Sequence, residues 1–196
     1  MIKYNREDFI NYHWDILCEK ETAEKLNSYL SPGITFVDIG CQKGMYSNYV
    51  KQKLNNDCRV IAIDAVEHPE IKNILSEKDV FYQAILGDKQ TTKNVFYRCD
   101  NNPKYIELKS THALDDLIDE QVDIIKLDCD GWEYEILLGA SRVLQESRPL
   151  IIVENIPEWK TEGRCQIEFL ISLGYEVVHI AGGYNYFLQF KNTHDN

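Results

Sequence analysis

The feature that most restricts the fold is residues 35–46, Thr-Phe-Val-Asp-Ile-Gly-Cys-Gln-Lys-Gly-Met-Tyr. An apolar run carries Asp38 and ends at Gly40, and a helix-like pattern starts after Gly44. This is how a nucleoside-binding α/β domain opens. The first glycine lets the chain turn tightly off the strand, and the second lets backbone come close to a ligand. The N–H groups of the next helix can then hold an anion. The dinucleotide fingerprint reads G-x-G-x-x-G and serves a pyrophosphate. Here Cys41-Gln42-Lys43 separate only two glycines, and Asp38 stands just before the first. A carboxylate there would repel a pyrophosphate but could pair with an ammonium. S-adenosylmethionine carries an ammonium, a carboxylate and an adenosine, and no phosphate. The pattern therefore points to a methyl donor rather than a nicotinamide. An ordinary strand-to-helix turn is the competing explanation.

The rest of the chain alternates in the same sense. Residues 6–30 read as one or two helices, with Ile10, Trp14, Leu17 and Cys18 on one face, stopped by Ser31-Pro32-Gly33. Strands are predicted at 35–39, 59–64, 80–86, 122–127 and 150–153. Helices are predicted at 43–54, from about 69, at 114–118, 132–145 and 165–173, with Gly174 as the last stop. The alternation breaks at 94–98 and 105–109, two strands joined by Asp100-Asn101-Asn102-Pro103. That is a β-rich insertion after strand three. Strands at 175–180 and 186–190 join through Gly182-Gly183 and close the chain as an antiparallel hairpin. The expected architecture is α/β, Rossmann-like, with a mainly parallel sheet flanked by helices. At 196 residues it fits one domain, a helical segment at 1–32 leading into a cofactor-binding domain at 33–196.

Charge narrows the partners. The chain has 21 basic and 32 acidic residues, a formal net charge of −11, and no basic cluster. A nucleic-acid backbone needs clustered Lys and Arg, so no nucleic acid is expected as substrate. The six cysteines, Cys18, Cys41, Cys58, Cys99, Cys129 and Cys165, form no C-x-x-C pair and no zinc pattern. They read as reduced thiols of a cytoplasmic protein. No apolar run is long enough to span a membrane, and the N-terminus does not resemble a signal peptide.

Ligands of open parallel sheets bind beyond the carboxyl ends of the strands. Strand one ends at Asp38 and Gly40. Strand two ends at Asp64, an acid placed to accept hydrogen bonds from ribose hydroxyls. Gln83 and Ala84 at the end of strand three could frame an adenine. Strand four runs Ile-Ile-Lys-Leu into Asp128, Asp130, Gly131, Trp132 and Glu133, and strand five ends at Glu154 and Asn155. Unpaired buried charges are costly, so each acid must face water, a cation, a donor or a shared proton. Asp130 has an alternative as a turn residue, and Glu133 as a first-turn helix stabiliser. Asp128 and Glu154 hold the stronger catalytic claim. Trp132 and Trp159 could line a sugar-binding mouth, with core packing as their alternative. None of the five histidines stands at a strand end beside the acids.

Several blocks in order carry a resemblance. They are Val37-Asp38-Ile39-Gly40 with Gly44, Ala113-Leu114-Asp115-Asp116-Leu117 and Asp123-Ile124-Ile125-Lys126-Leu127-Asp128. Gly131-Trp132-Glu133, Leu137-Leu138-Gly139-Ala140 and Arg148-Pro149-Leu150-Ile151-Ile152-Val153-Glu154 complete them. From about Phe36 to Gly174 the chain resembles the FkbM family of S-adenosylmethionine-dependent methyltransferases. The resemblance implies a class I methyltransferase fold and O-methylation, often of sugar hydroxyls in glycans or glycoconjugates. It implies a cofactor along Asp38, Gly40, Gly44 and Asp64. The family's usual Gly-His-Glu is Gly131-Trp132-Glu133 here, so no histidine role carries over.

The full candidate cofactor set is Asp38, Gly40, Lys43, Gly44, Tyr46, Asp64, Ala65, Gln83, Ala84 and Asp128. Candidate substrate residues are Trp132, Trp159, Asp130 and Asn155. Catalysis is assigned to Asp128 and Glu154, as a base. The alternative is Mg²⁺ held by Asp128, Asp130 and Glu154. The rival functions are a nicotinamide-dependent oxidoreductase and a non-catalytic binding domain. The sequence leaves open that this is part of a larger glycan-assembly protein.

Overall fold

A computed structural model describes residues 16–99, 102–156 and 164–191, with side chains at 19–92, 110–156 and 164–191. The described residues run from α1 (Ile16–Asn27) through β1 (Thr35–Ile39), α2 (Met45–Lys53), β2 (Arg59–Asp64), α3 (Ile71–Ile74) and β3 (Val80–Gln83). The chain continues through β4 (Ile85–Leu86), β5 (Thr91–Cys99), β6 (Asn102–His112), α4 (Leu114–Leu117) and β7 (Ile124–Leu127). It closes with α5 (Glu133–Leu138), α6 (Ser141–Glu146), β8 (Leu150–Glu154), α7 (Gln166–Ser172), β9 (Tyr175–Ala181) and β10 (Asn185–Phe190). The first half of the helix read at 6–30 lies outside the described residues.

Seven strands form one sheet in the order β3-β2-β1-β7-β8-β10-β9. The first five of these are parallel, and β10 runs antiparallel to both β8 and β9. The fold is therefore α/β with a mostly parallel central sheet and an antiparallel closing hairpin, as expected. The alternation of side chains fills both faces. Val37, Ile39, Ile61, Ile63, Ile125, Leu127, Ile151 and Val153 pack on one side with residues of α4 to α7. Phe36, Val60, Ala62, Ile124, Ile152 and Phe187 pack on the other with Leu26, Tyr46, Val50 and Ile71 of α1, α2 and α3. Strands buried on both faces are the reason β1, β7 and β8 read as continuous apolar runs.

Two expectations change. The strand read at 80–86 breaks at Ala84, whose N–H donates to the Asp64 carbonyl at 2.9 Å. Residues 80–83 stay on β2, while 85–86 pair with β6 in a separate three-stranded sheet, β4-β6-β5. The β-rich insertion is this second sheet. The helical stretch at 132–145 is two short helices parted at Gly139-Ala140. A Cβ on Gly139 would overlap the Gly87 carbonyl oxygen, so the break lets two backbones touch. Among the described residues no helix is long and apolar enough to cross a membrane.

Candidate active site

The chain leaves β1 toward β2 and β3, then returns to the other side of β1 for β7 and β8. The carboxyl ends of β1 and β7 thus flank the switch point, where such sheets hold ligands. Asp38 and Lys126 are register partners across these strands. Gly40 follows β1 with φ 75°. A Cβ there would overlap the Asp128 carbonyl oxygen, so the turn needs glycine for conformation and for space. Gly44 has φ 77°, and its missing Cβ makes room for the Ile71 and Ile74 side chains of α3. The second glycine therefore serves packing over the loop; the space beside it belongs to α3 rather than to a ligand.

The candidate cofactor residues divide into two groups. At the end of β2, Asp64 accepts the Gln42 N–H on Oδ2 at 2.8 Å and the Val66 N–H on Oδ1 at 2.9 Å. Each oxygen keeps a lone pair for a further donor. Burial raises its pKa, against those backbone hydrogen bonds. Gln83 is exposed beside it and reaches the Ala65 carbonyl at 3.5 Å, with Ala84 next in the chain. Lys43 stands 4.0 Å from Glu70.

Asp38 belongs to the second group and is buried. Its Oδ2 takes the Ser47 N–H at 3.0 Å and the Ser47 hydroxyl at 2.6 Å, which secures the first turn of α2. Burial pushes its pKa to about 6, against the Ser47 hydrogen bond and the Lys126 charge. The folded pKa lies above the unfolded value near 3.8, so the folded state binds more protons between them. Stability conferred by this group falls as pH rises through that window and levels above it. Asp38→Asn keeps an acceptor and loses the titration. Its stability relative to the parent should improve from pH 4 to 6 by about 2 kcal/mol and then stay level. Paired thermal melts across pH 4–8 check this; a flat difference would refute it.

Lys126 is the residue the sequence reading passed over. It is 1% exposed in the middle of the sheet. Its Nζ donates to Asp128 Oδ2 at 2.8 Å and lies 5.2 Å from the centre of the Tyr46 ring. Burial opposes its charge, but Asp128, Glu19 and Glu154 outweigh that and raise its pKa. Tyr46 is buried and donates its hydroxyl to Glu19 of α1. Tyr46, read as a cofactor contact, thus sits in this ionic network. Glu154 closes the group at the end of β8. Burial and the nearby Asp128 carboxylate raise its pKa to about 9, so it carries a proton at neutral pH. Glu154 thus stands as a raised carboxyl beside Asp128, which is tied to the Lys126 ammonium, an arrangement suited to acid–base work.

The loop after β7 is mostly structural. Asp130 is exposed with φ 52°, at the turn before Gly131. Glu133 is buried, and its Oε1 accepts the N–H groups of Cys129 at 2.8 Å and Gly131 at 3.2 Å. Trp132 packs against the core on the α4 to α7 side and donates its indole N–H to the Leu86 carbonyl at 2.9 Å. This is the packing alternative named for Trp132. Trp132→Phe should cost about 1 kcal/mol through that lost bond. Unchanged urea unfolding in the variant would argue against the tie. Trp159, with Tyr12, His13 and Trp14, lies outside the described residues. Asn155 is buried after Glu154. Among the described residues no three His, Cys, Asp or Glu side chains group to hold a metal, so the Mg²⁺ alternative at Asp128, Asp130 and Glu154 gains no support.

The sheet order, the glycine turn at the switch point and the acid ending β2 define the class I S-adenosylmethionine-dependent methyltransferase fold. The sequence pattern of the methyltransferase FkbM domain matches residues 38–177, and the chain belongs to that family. Among solved structures, it is similar to methyltransferase FkbM from Methylobacillus flagellatus KT, with 19% identity and a TM-score of 0.61 over 81% of this chain. The match spans 44% of that protein's chain. A SAM-dependent methyltransferase from Aquifex aeolicus is similar at 14% identity and a TM-score of 0.53, covering 95% of this chain and all of that one. A putative rRNA-methylase from Clostridium thermocellum is similar at 11% identity and a TM-score of 0.56, over 89% of this chain and 97% of that one. At these identities the likeness concerns the fold. No curated protein sequence matches the chain.

Proposed function

We propose that the protein transfers a methyl group from S-adenosylmethionine to a hydroxyl of a neutral sugar in a glycan or glycoconjugate. One observation carries the reading: Asp38, Asp128, Glu154 and Glu19 surround a single buried cation, Lys126, at the switch point. An acid-rich crevice suits a donor bearing an ammonium and a sulfonium, and repels a pyrophosphate. Asp64 fits the ribose hydroxyls because both its oxygens retain acceptor capacity, and Gln83, Ala65 and Ala84 lie where an adenine would follow. The bound cofactor supplies an electrophilic methyl on sulfur. The protein must align an acceptor oxygen and take up its proton. Asp128, held by Lys126, is the base in this reading, and protonated Glu154 orients the acceptor. Among the described residues, α1 belongs to the same unit as the sheet, since it delivers Glu19 to Tyr46.

The names of some fold neighbours raise an RNA acceptor. A net charge of −11 and an acidic crevice oppose it. The described cysteines Cys41, Cys58, Cys129 and Cys165 are free thiols, and burial raises the pKa of Cys41 and Cys129. That supports a reducing, cytoplasmic setting. Labelled methyl donor offered to neutral glycans and to RNA, read by mass, tests the assignment; transfer to RNA alone would reject it. S-adenosylhomocysteine at one hundred times its dissociation constant should stabilise the protein by about 2.7 kcal/mol, and NAD should not. Asp64→Ala should weaken that binding by about 1–3 kcal/mol by calorimetry. Equal affinity would remove the ribose assignment, and failure of the parent itself to bind would favour a non-catalytic domain.

A further inference from the structure

We propose that Asn185 forms part of the subsite that recognises the acceptor, and that it takes a hydroxyl of a neutral sugar ring. The proposal rests on reading the neighbouring crevice as the place of methyl transfer. Asn185 opens β10 and is the register partner of Glu154 on β8. Directly opposed residues of an antiparallel pair share one face of the sheet. Glu154 follows Ile152 by two positions, so by strand alternation both stand on the face of Lys126 and α1. Asn185 is therefore next to the catalytic carboxyls although distant in sequence.

Its burial is the informative fact. Asn185 is 0% exposed and Asn155 is 6% exposed. Neither the Nδ2 nor the Oδ1 of Asn185 has a hydrogen-bond partner, and the Oδ1 of Asn155 has none among the described residues. Buried polar groups are nearly always satisfied, because each unmet one costs free energy. Asn185 sits among apolar groups, with Phe187 and Ala181 on its side of the sheet. Retained amides are explained when their partner arrives with the ligand.

The chemistry selects the ligand class. A carboxamide donates twice and accepts through one oxygen. Its natural complement is a group that also donates and accepts, which a hydroxyl does. An anion would be repelled by Asp128. A cation would be drawn to that carboxylate rather than to an amide. The Asn185 amide opposite the Glu154 carboxyl suits a pair of neighbouring hydroxyls.

The test uses the full chain saturated with S-adenosylhomocysteine. Methyl glycosides of neutral hexoses are titrated and read by saturation-transfer NMR. The parent should bind at least one glycoside. Asn185→Ala should weaken that binding tenfold or more, with affinity for S-adenosylhomocysteine unchanged within twofold. The melting midpoint of Asn185→Ala should stay level or rise, because an unmet buried amide has been removed. A structural role would do the reverse, lowering the midpoint while glycoside binding persists, and would overturn the subsite. Absence of binding by the parent to every glycoside would overturn it as well. Should Asn185→Ala fail to fold, Asn185→Ser supplies the same comparison. Failure of S-adenosylhomocysteine itself to bind would strike the methyl-transfer reading, and is seen separately in the first titration.

Discussion

Asp128→Asn should lower kcat by about 10²- to 10⁴-fold while S-adenosylhomocysteine still binds. The side chain keeps its shape, so the loss reports the carboxylate. Asp128 follows β7 directly, half-exposed, with one oxygen on the buried Lys126 ammonium. The amide cannot take up a proton and turns a donor or a weaker acceptor toward that ammonium. Glu154→Gln supplies the contrast. Glu154 is raised to about 9 by burial and by Asp128, so it is a neutral carboxylic acid at pH 7, and glutamine mimics that form. Its kcat should fall less than about tenfold below pH 8. Because a raised carboxyl loses its proton as pH passes its folded value, parental activity should decline above about pH 9 and the Gln variant should not share that limb. Glu154→Gln costing as much as Asp128→Asn would reassign the base.

Gly40→Ala should destabilise the protein by more than about 3 kcal/mol, close to the limit that such a domain tolerates. Two costs coincide. A left-handed alanine costs about 1–2 kcal/mol. The added methyl would also meet the Asp128 carbonyl, which is backbone and moves only if β7 shifts against β1. Gly33→Ala is the matched control, since Gly33 has φ 85° but nothing within 4 Å of its Cβ position. It should lose only the conformational cost. Denaturant unfolding of the two variants separates strain from overlap, and equal losses would discredit the overlap.

Much of this arrangement was legible from the residues. β1 and β2 fall at the residues expected because a strand buried on both faces is an apolar run closed by a glycine or an acid. The antiparallel hairpin was readable from Gly182-Gly183 between two β-branched and aromatic runs. The break at Ala84 was not, because both halves have strand composition and only the choice of neighbour divides them. Lys126 carried a signal that went unused: a lysine inside Ile-Ile-Lys-Leu, on a strand covered on both sides, has to be paired. Glu19 and Asn185 left no such signal, because their neighbours come from distant elements. Gly44 and Trp132, residue types suited to ligands, also serve the packing of α3 and β4.

The second sheet branches from the first at Ala84, is tied to the core through Leu86 and Trp132, and among the described residues pairs with none of the seven main strands. Lengthening or trimming its β5–β6 hairpin therefore shifts no register between β1, β7 and β8. A lineage carrying this fold can remodel that flank freely while the distances that govern chemistry stay fixed.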